Sequence, residues 1–101
     1  MLHQDGKNVK LKELTVAPGK RLSMQKHEKR SEFWFVTHGK ATVYTLNVSS
    51  DIELSGVFSE HQHLWIHTGD WHRLANEGTD ELRMVEIQFG ENCVEDDIIR
   101  K

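Results

Sequence analysis

The sequence contains very little cysteine or proline, with one residue of each among its 101 residues. A lone cysteine, Cys93, cannot form a disulfide within the chain, so the fold is expected not to depend on oxidation. We interpret Cys93 as a free thiol in a reducing compartment. The single proline, Pro18, lies in the segment APGK, a turn signal of the kind that separates two strands.

The sequence also lacks a long apolar run and an excess of positive charge. There is no run of 18 apolar residues, so no membrane-spanning helix is predicted. The polar first ten residues do not resemble a signal peptide, and a cytoplasmic protein is expected. The 13 basic and 16 acidic residues do not favour binding to nucleic acid or anionic membranes. The length predicts one domain over residues 1–101.

Short segments of alternating apolar and polar residues, separated by turn signals, run through most of the chain. This pattern predicts an all-β antiparallel sandwich or barrel. The tail, Val94–Arg100, is the only segment with a helical pattern. The predicted strands are Val9–Leu11, Leu14–Val16, Arg21–His27, Ser31–Thr37, Ala41–Asn47, Ile52–Phe58, His63–His67, His72–Asn76 and Leu82–Phe89.

Seven histidines are a high count for 101 residues, and two of them belong to a cluster of candidate metal ligands. Gln25 and His27 share one face of a strand because they are two residues apart. A turn after His27 would bring Glu32 to face it from a neighbouring strand, and His72 begins another strand. This mixed nitrogen and oxygen set suits a divalent cation such as zinc, iron, manganese, nickel or cobalt. The alternative is a polar barrel interior that holds only water.

Arg30 and Trp34 share the strand face of Glu32. Arg30 either forms an ion pair with a neighbouring glutamate or contacts a substrate. Trp34 belongs to the core, to a dimer interface or to a platform for a sugar.

A second histidine cluster surrounds Trp65. The alternation of these histidines predicts exposed side chains on one strand, with a second metal site as the alternative. Its members are His61, His63 and His67.

Two motifs in this sequence resemble those of the cupin superfamily. The pattern G-x5-Q-x-H-x4-E-x6-G, from Gly19 to Gly39, is similar to the first cupin motif. The pattern H-x-G-x2-H-x3-N, from His67 to Asn76, is similar to the second, with His67 where proline is usual. The resemblance implies a cupin-type double-stranded β-helix, also called a jelly-roll barrel.

More narrowly, the segments RLSMQKHEKRSEFW, HRLANEG, VEIQFG and EDDIIR resemble the C-terminal domain of the bifunctional mannose-6-phosphate isomerase/mannose-1-phosphate guanylyltransferase enzymes. The likeness runs from about Val16 to the last residue. It implies a metal-dependent sugar-phosphate aldose–ketose isomerase that interconverts mannose 6-phosphate and fructose 6-phosphate. The large N-terminal domain of those enzymes is missing from the sequence, so guanylyltransferase activity is not expected.

The resemblance also implies roles for individual residues. Zinc is the first candidate for the cation. Arg30 is expected to act in catalysis and on the phosphorylated sugar, and Glu86 is a candidate base. Trp34, Arg73 and Gln88 are expected to contact the substrate. The implied metal ligands are Gln25, His27, Glu32 and His72.

Two other functions remain open from the sequence. One is a non-catalytic sugar- or metabolite-binding cupin that has kept the ligand set. The other is an iron cupin oxygenase, which the glutamine ligand disfavours. A homodimer is expected, because pairing through edge strands would protect the edges of so small a barrel.

Overall fold

The computed structural model describes residues 2–5, 9–27, 30–47, 49–50, 52–90 and 99–100. Every regular element in these residues is a β-strand, which confirms the all-β prediction. No helix in them could cross a membrane. In chain order the strands are β1 (Leu2–Asp5), β2 (Val9–Val16), β3 (Gln25–Lys26), β4 (Arg30–His38), β5 (Ala41–Asn47), β6 (Ile52–Phe58), β7 (His63–Ile66), β8 (Trp71–Ala75), β9 (Leu82–Gly90) and β10 (Ile99–Arg100).

The strands form two five-stranded antiparallel sheets. The first sheet has the order β1-β2-β9-β4-β7, and the second has the order β10-β3-β8-β5-β6. Successive strands such as β3 and β4, or β4 and β5, lie in different sheets, so the chain crosses repeatedly between them. A sandwich with these crossings encloses one interior that receives side chains from both sheets.

Several strand ends differ from the sequence prediction. Residues 9–16 form one strand, because no turn residue interrupts its pairing with β9. The predicted strand over Arg21–His27 is reduced to Gln25–Lys26, with Arg21 forming only an isolated bridge to Ala75.

The helical pattern of the tail is contradicted where the structure describes it, because Ile99 and Arg100 pair as a strand with β3. The rest of that segment, including Cys93, lies in residues 91–98, outside the described part of the chain.

The interior changes from polar to apolar along the barrel, and β4 shows the change most clearly. Arg30, Glu32, Trp34 and Val36 alternate inward and are all buried. The first two are charged and the last two pack in the apolar core, so the charged group is confined to one end of the barrel. The buried apolar core consists of Val16, Trp34, Val36, Ala41, Val43, Ile66, Leu74, Leu82 and Met84.

Glycines in a left-handed backbone conformation form two of the turns that join a strand of one sheet to a strand of the other. Gly39, between β4 and β5, has φ +81°, and a Cβ there would lie 2.6 Å from the carbonyl oxygen of Glu81. Gly69 has φ +86° with open space around it, and its N–H donates to the carbonyl of His27 at 2.7 Å. Glycine adopts this left-handed conformation without steric cost. The Gly69 turn therefore ties the end of β3 to the connection before β8.

Candidate metal centre

Three of the four predicted ligands meet at the polar end of the barrel. His27 follows β3, Glu32 lies on β4 and His72 lies on β8, so both sheets contribute. One nitrogen or oxygen atom from each lies within 4.8 Å of the others, and all three side chains are buried. His27 Nε2 is 3.1 Å from Glu32 Oε2.

His72 is oriented by the backbone. Its Nδ1 lies 3.0 Å from the carbonyl oxygen of Asp70, and a carbonyl can only accept, so Nδ1 carries the proton. Nε2 is then left with a lone pair, which is the arrangement found in most metal-binding histidines. Burial lowers the pKa of His72 below its ordinary value, with the backbone hydrogen bond opposing the shift. A neutral imidazole is the form that binds a cation.

Glu32 is held by donors on both carboxylate oxygens. Trp34 Nε1 donates to Oε1 at 2.9 Å, and Arg30 Nε donates to Oε2 at 2.9 Å. Trp34 also packs edge-on against the ring of His72, with centroids 5.5 Å apart. Trp34 therefore orients two of the candidate ligands.

Gln25 reaches the same cavity from β3. It pairs with His72 in the second sheet, is half-buried, and donates from Nε2 to Ser23 Oγ at 3.0 Å. This hydrogen bond occupies the amide nitrogen. The amide oxygen is the atom that a fourth ligand would supply.

The chemistry of this donor set fits a divalent cation. Two imidazoles and a carboxylate are ligands that zinc, manganese and iron accept. Arg30 already compensates the negative charge of buried Glu32, so the support for a cation comes from the types of the ligands and their convergence. Within the described residues, this is the one group of three or more His, Cys, Asp or Glu side chains placed to hold a cation.

A cavity of about 180 Å³ opens beside the three donors. Its walls contain both polar and apolar side chains. They are formed by Lys12, Leu14, Leu22, Ser23, Gln25, His27, Arg30, Glu32, Trp34, His72, Leu74 and Glu86.

Glu86, the predicted base, lies in the cavity wall and is buried. Burial is the main reason that its pKa is raised from 4.5 to about 7, and the charge of Glu32 adds to the shift. A carboxyl group with this pKa holds its proton at neutral pH about as often as it releases it.

Two other residues that were predicted to contact the substrate, Arg73 and Gln88, are not part of the cavity wall. Arg73 follows His72 on β8 and pairs with Glu53 at 3.9 Å, so it takes the opposite face of the sheet. The structure does not bring Arg73 into the site. Gln88 is fully buried next to Glu86, to which it donates at 2.6 Å.

Lys12 is a cavity residue that the sequence prediction missed. It lies on the inner face of β2, directly opposite Glu86 on β9. Its position could have been found from Leu14 and Val16, which occupy the same face of β2 and point into the core.

The second histidine cluster lies on the outer face of the first sheet. The ring of His63 lies 5.2 Å from that of Phe33, and the ring of His61 stacks on Phe35 at 6.1 Å. Trp65 is half-exposed and packs against Phe33. In the described residues these exposed histidines do not form a group that could hold a cation.

The family model for "Mannose-6-phosphate isomerase C-terminal" matches residues 2–101. The chain belongs to this family. Curated relatives include the mannose-1-phosphate guanylyltransferase of Escherichia coli, 37% identical over 94% of this chain. The alginate biosynthesis protein AlgA of Pseudomonas aeruginosa is 39% identical over 94%. This chain spans only 19% and 18% of those two proteins, about a fifth of their length.

Solved structures confirm the predicted cupin fold. A Klebsiella pneumoniae protein with a double-stranded β-helix domain has a TM-score of 0.80 at 14% identity, covering 98% of this chain and 79% of its own. An oxalate oxidase in complex with glycolate has a TM-score of 0.79 at 24% identity, covering 92% of this chain and 46% of its own. At these identities the likeness extends to the fold alone.

The relatives correct the functional prediction. These proteins are named for guanylyl transfer to mannose 1-phosphate or for polysaccharide biosynthesis, not for aldose–ketose isomerisation. The prediction of a mannose-6-phosphate isomerase is therefore wrong, although the description of the family contains the word isomerase. The coarser prediction, a family of sugar-phosphate enzymes, is confirmed.

Proposed function

We propose that this chain is a metal-binding cupin domain that recognises a phosphorylated mannose or a closely related hexose phosphate. The observation that carries the proposal is the convergence of His27, Glu32 and His72 on one buried point beside a cavity walled by Arg30 and Lys12. The names of the relatives supply the sugar, because they act on mannose 1-phosphate or in polysaccharide synthesis. The domain would serve such a pathway by binding its phosphorylated sugar.

The cation would be held by His27, Glu32 and His72, with the Gln25 amide oxygen as a fourth ligand. Zinc is the first candidate, and manganese follows because a related fold, oxalate decarboxylase of Bacillus subtilis, has Mn(II) centres. When bound, the cation would supply a positive charge that polarises sugar hydroxyl or carbonyl oxygens. The protein's own part is to hold the sugar against it and to exclude water.

The phosphate would be recognised by the cationic wall of the cavity. Arg30 offers a planar, permanently charged group that can contact two phosphate oxygens at once, and Lys12 adds a second positive charge. Glu86 lies on β9 directly opposite Lys12 of β2 and would accept or donate hydrogen bonds to sugar hydroxyls. Trp34 would act indirectly, by fixing Glu32.

Isothermal titration calorimetry tests the proposal. Protein stripped with chelator and reloaded with Zn²⁺ or Mn²⁺ should bind mannose 1-phosphate or mannose 6-phosphate, and bind unphosphorylated mannose at least about tenfold more weakly. His72→Ala should lose the cation, whereas the exposed His61→Ala should keep it. Metal-loaded protein that binds neither sugar phosphate would contradict the proposal.

We also propose that residues 1–101 form a single domain that pairs with a second copy through β6. This edge strand exposes Ile52, Leu54 and Val57, each more than half accessible. Long apolar edge strands tend to be covered by another strand. Sedimentation velocity should show a dimer that Leu54→Lys converts to a monomer.

A further inference from the structure

Gln88 lies behind the cavity wall, with its amide group against Glu86. Its side chain is fully buried and does not line the cavity. Glu86 is two residues earlier on β9, so both side chains point to the inner face of the sheet, and Glu86 does line the cavity. Nε2 of Gln88 donates to Oε1 of Glu86 at 2.6 Å. Gln88 would therefore act on a ligand in the cavity through Glu86, without touching the ligand.

The carboxyl group of Glu86 has one anchored oxygen and one open oxygen. In the described part of the chain, the hydrogen bond from Gln88 to Oε1 is the one that this carboxyl makes, so Oε2 has no donor among these residues. Glu32 differs, because both of its oxygens accept hydrogen bonds from protein groups. A carboxylate can accept at both oxygens. Oε2 of Glu86 is therefore the atom that could accept from a hydroxyl group in the cavity.

The amide oxygen of Gln88 indicates that this residue does more than fill space. The oxygen is buried and accepts no hydrogen bond from the residues that the structure describes. An unpaired buried acceptor lowers stability, so an apolar side chain of similar shape would suit the packing better. Such a side chain could not donate to Glu86. The contribution of Gln88 is therefore to the orientation of the carboxyl group.

We propose that Gln88 is a positioning residue for sugar recognition: its N–H holds Oε1 of Glu86, so that Oε2 is presented to a hydroxyl of the bound hexose phosphate. This inference rests on the proposed function, since it requires a sugar phosphate in the cavity. It assigns the two parts of the ligand to different parts of the wall. Arg30 and Lys12 contact the phosphate, and Glu86, oriented by Gln88, recognises the sugar ring.

The first test compares a mannose phosphate with inorganic phosphate as ligands of the Zn²⁺-loaded protein. The mannose phosphate is the 1- or 6-isomer that the wild type binds more tightly. Gln88→Met keeps the length of the side chain without its hydrogen-bonding groups. By calorimetry, this variant should bind the mannose phosphate about tenfold more weakly and inorganic phosphate within about twofold of the wild type, because inorganic phosphate needs the cationic wall alone.

Two further variants accompany this comparison. Gln88→Leu is a second apolar variant and should give the same result, and an unchanged affinity for inorganic phosphate shows that each variant is folded. Gln62→Met is the matched control. The side chain of Gln62 accepts from the N–H of Ser59 at 2.7 Å, in the turn before β7 and outside the cavity. Its loss should change neither affinity.

A double-mutant cycle shows whether Gln88 acts through Glu86. Glu86→Ala should weaken mannose phosphate binding at least about tenfold, since the acceptor itself is lost. Adding Gln88→Met to Glu86→Ala should change the affinity by less than about twofold, because no carboxyl group remains to be oriented. A purely structural Gln88 would cost the same affinity in both backgrounds, and equal losses would overturn the proposal.

A spectroscopic measurement on the metal-free protein checks the hydrogen bond itself. A donor to a carboxylate favours its charged form, so the bond from Gln88 opposes the burial that raises the pKa of Glu86. The ¹³C NMR titration of the Glu86 carboxyl should therefore move to higher pH in Gln88→Met. Glu32, Lys12 and Arg30, the charged groups that also act on Glu86, are the same in both proteins.

The outcomes separate this inference from the proposed function. A Glu86 titration that does not move in Gln88→Met, or a mannose phosphate affinity that does not fall, would overturn the positioning role of Gln88 alone. If the Zn²⁺-loaded wild type binds no mannose phosphate at all, the proposed function fails instead.

Discussion

Glu32 shows how a single buried charge is supported by its neighbours. Its carboxylate receives one hydrogen bond from Trp34, one from Arg30 and a close approach from His27. Each of these groups offsets part of the cost of burying a negative charge. Substitution of any of these three neighbours is therefore expected to disturb Glu32.

Trp34→Phe should weaken cation binding by about tenfold. The phenyl ring fills most of the indole's space but cannot donate to Glu32 Oε1, so the carboxylate is less firmly oriented. Zn²⁺ affinity measured by chelator competition checks this. Trp65→Phe, on the half-exposed outer face, is the control and should leave the affinity unchanged. Equal affinities in the two variants would show that the indole hydrogen bond does not matter.

Glu86→Gln should remove a pH-dependent loss of stability from the metal-free protein. The folded pKa is raised to about 7 from 4.5, so the fold favours the protonated form. Its cost is absent below about pH 4.5, grows as the pH rises, and is complete above pH 7, at up to roughly 3 kcal/mol. Glutamine stays neutral throughout.

Urea unfolding at pH 5, 6, 7 and 8 measures this difference. The free energy of unfolding of Glu86→Gln should exceed that of the wild type by an amount that increases with pH. Glu81→Gln, which removes a partly exposed carboxylate, is the control. Parallel pH profiles for the wild type and Glu86→Gln would contradict the raised pKa.

Individual residues were predictable where a motif or strand alternation marked them. Gln25, His27, Glu32 and His72 follow from spacing, and the structure brings them to one cavity. Lys12 was missed because its strand carries apolar residues on both faces, and only Leu14 and Val16 at its end indicate that the face of Lys12 is the inner one. Arg73 was selected by resemblance alone, although its neighbour His72 already takes the inward position.

At the level of elements, β4 joins the site to the core. Its inward positions pass from Arg30 and Glu32 to Trp34 and Val36, so one strand carries both the candidate ligand and the central packing. The turn at Gly39 ends this strand and starts β5 in the other sheet. Errors in that turn would therefore shift the register of the strand that places Glu32.

Gly39→Ala should destabilise the fold more than Gly69→Ala does. Both glycines have φ near +80°, so both alanines carry the left-handed penalty of about 1–2 kcal/mol. Only the Cβ at Gly39 meets backbone, 2.6 Å from the Glu81 carbonyl oxygen, which adds about 1–3 kcal/mol for forced rearrangement. Denaturant unfolding of both variants gives the difference directly, and equal losses would show that the β4–β5 turn relaxes freely.

Strands were predictable where alternation was clear, and their ends were not. Ala41–Asn47 and Ile52–Phe58 match the structure at both ends. The segment before His27 alternates equally well but pairs over only two residues, because pairing depends on partners far away in the chain. The same reason explains the tail, where Ile99 and Arg100 pair with β3 despite a helical pattern.

For the whole molecule, turn spacing and the paired motifs were enough to predict the fold, and the solved structures confirm it. Activity could not be predicted in the same way, because a fold supports many functions and the resemblance supplied the wrong one. The relatives are about five times longer than this chain, so their names describe more than the cupin domain.

The strand order also has a consequence for folding kinetics. The candidate ligands from the two sheets come together only after Gln25 has paired with His72 and Glu32 with Gln88. Both pairings close long loops of the chain. Contacts of such high sequence separation form slowly and late. Saturating Zn²⁺ should therefore leave the refolding rate unchanged and slow unfolding, by about 100-fold at 100 times the dissociation constant. Stopped-flow fluorescence measures both rates, and accelerated refolding would mean that the ligands assemble before the barrier is crossed.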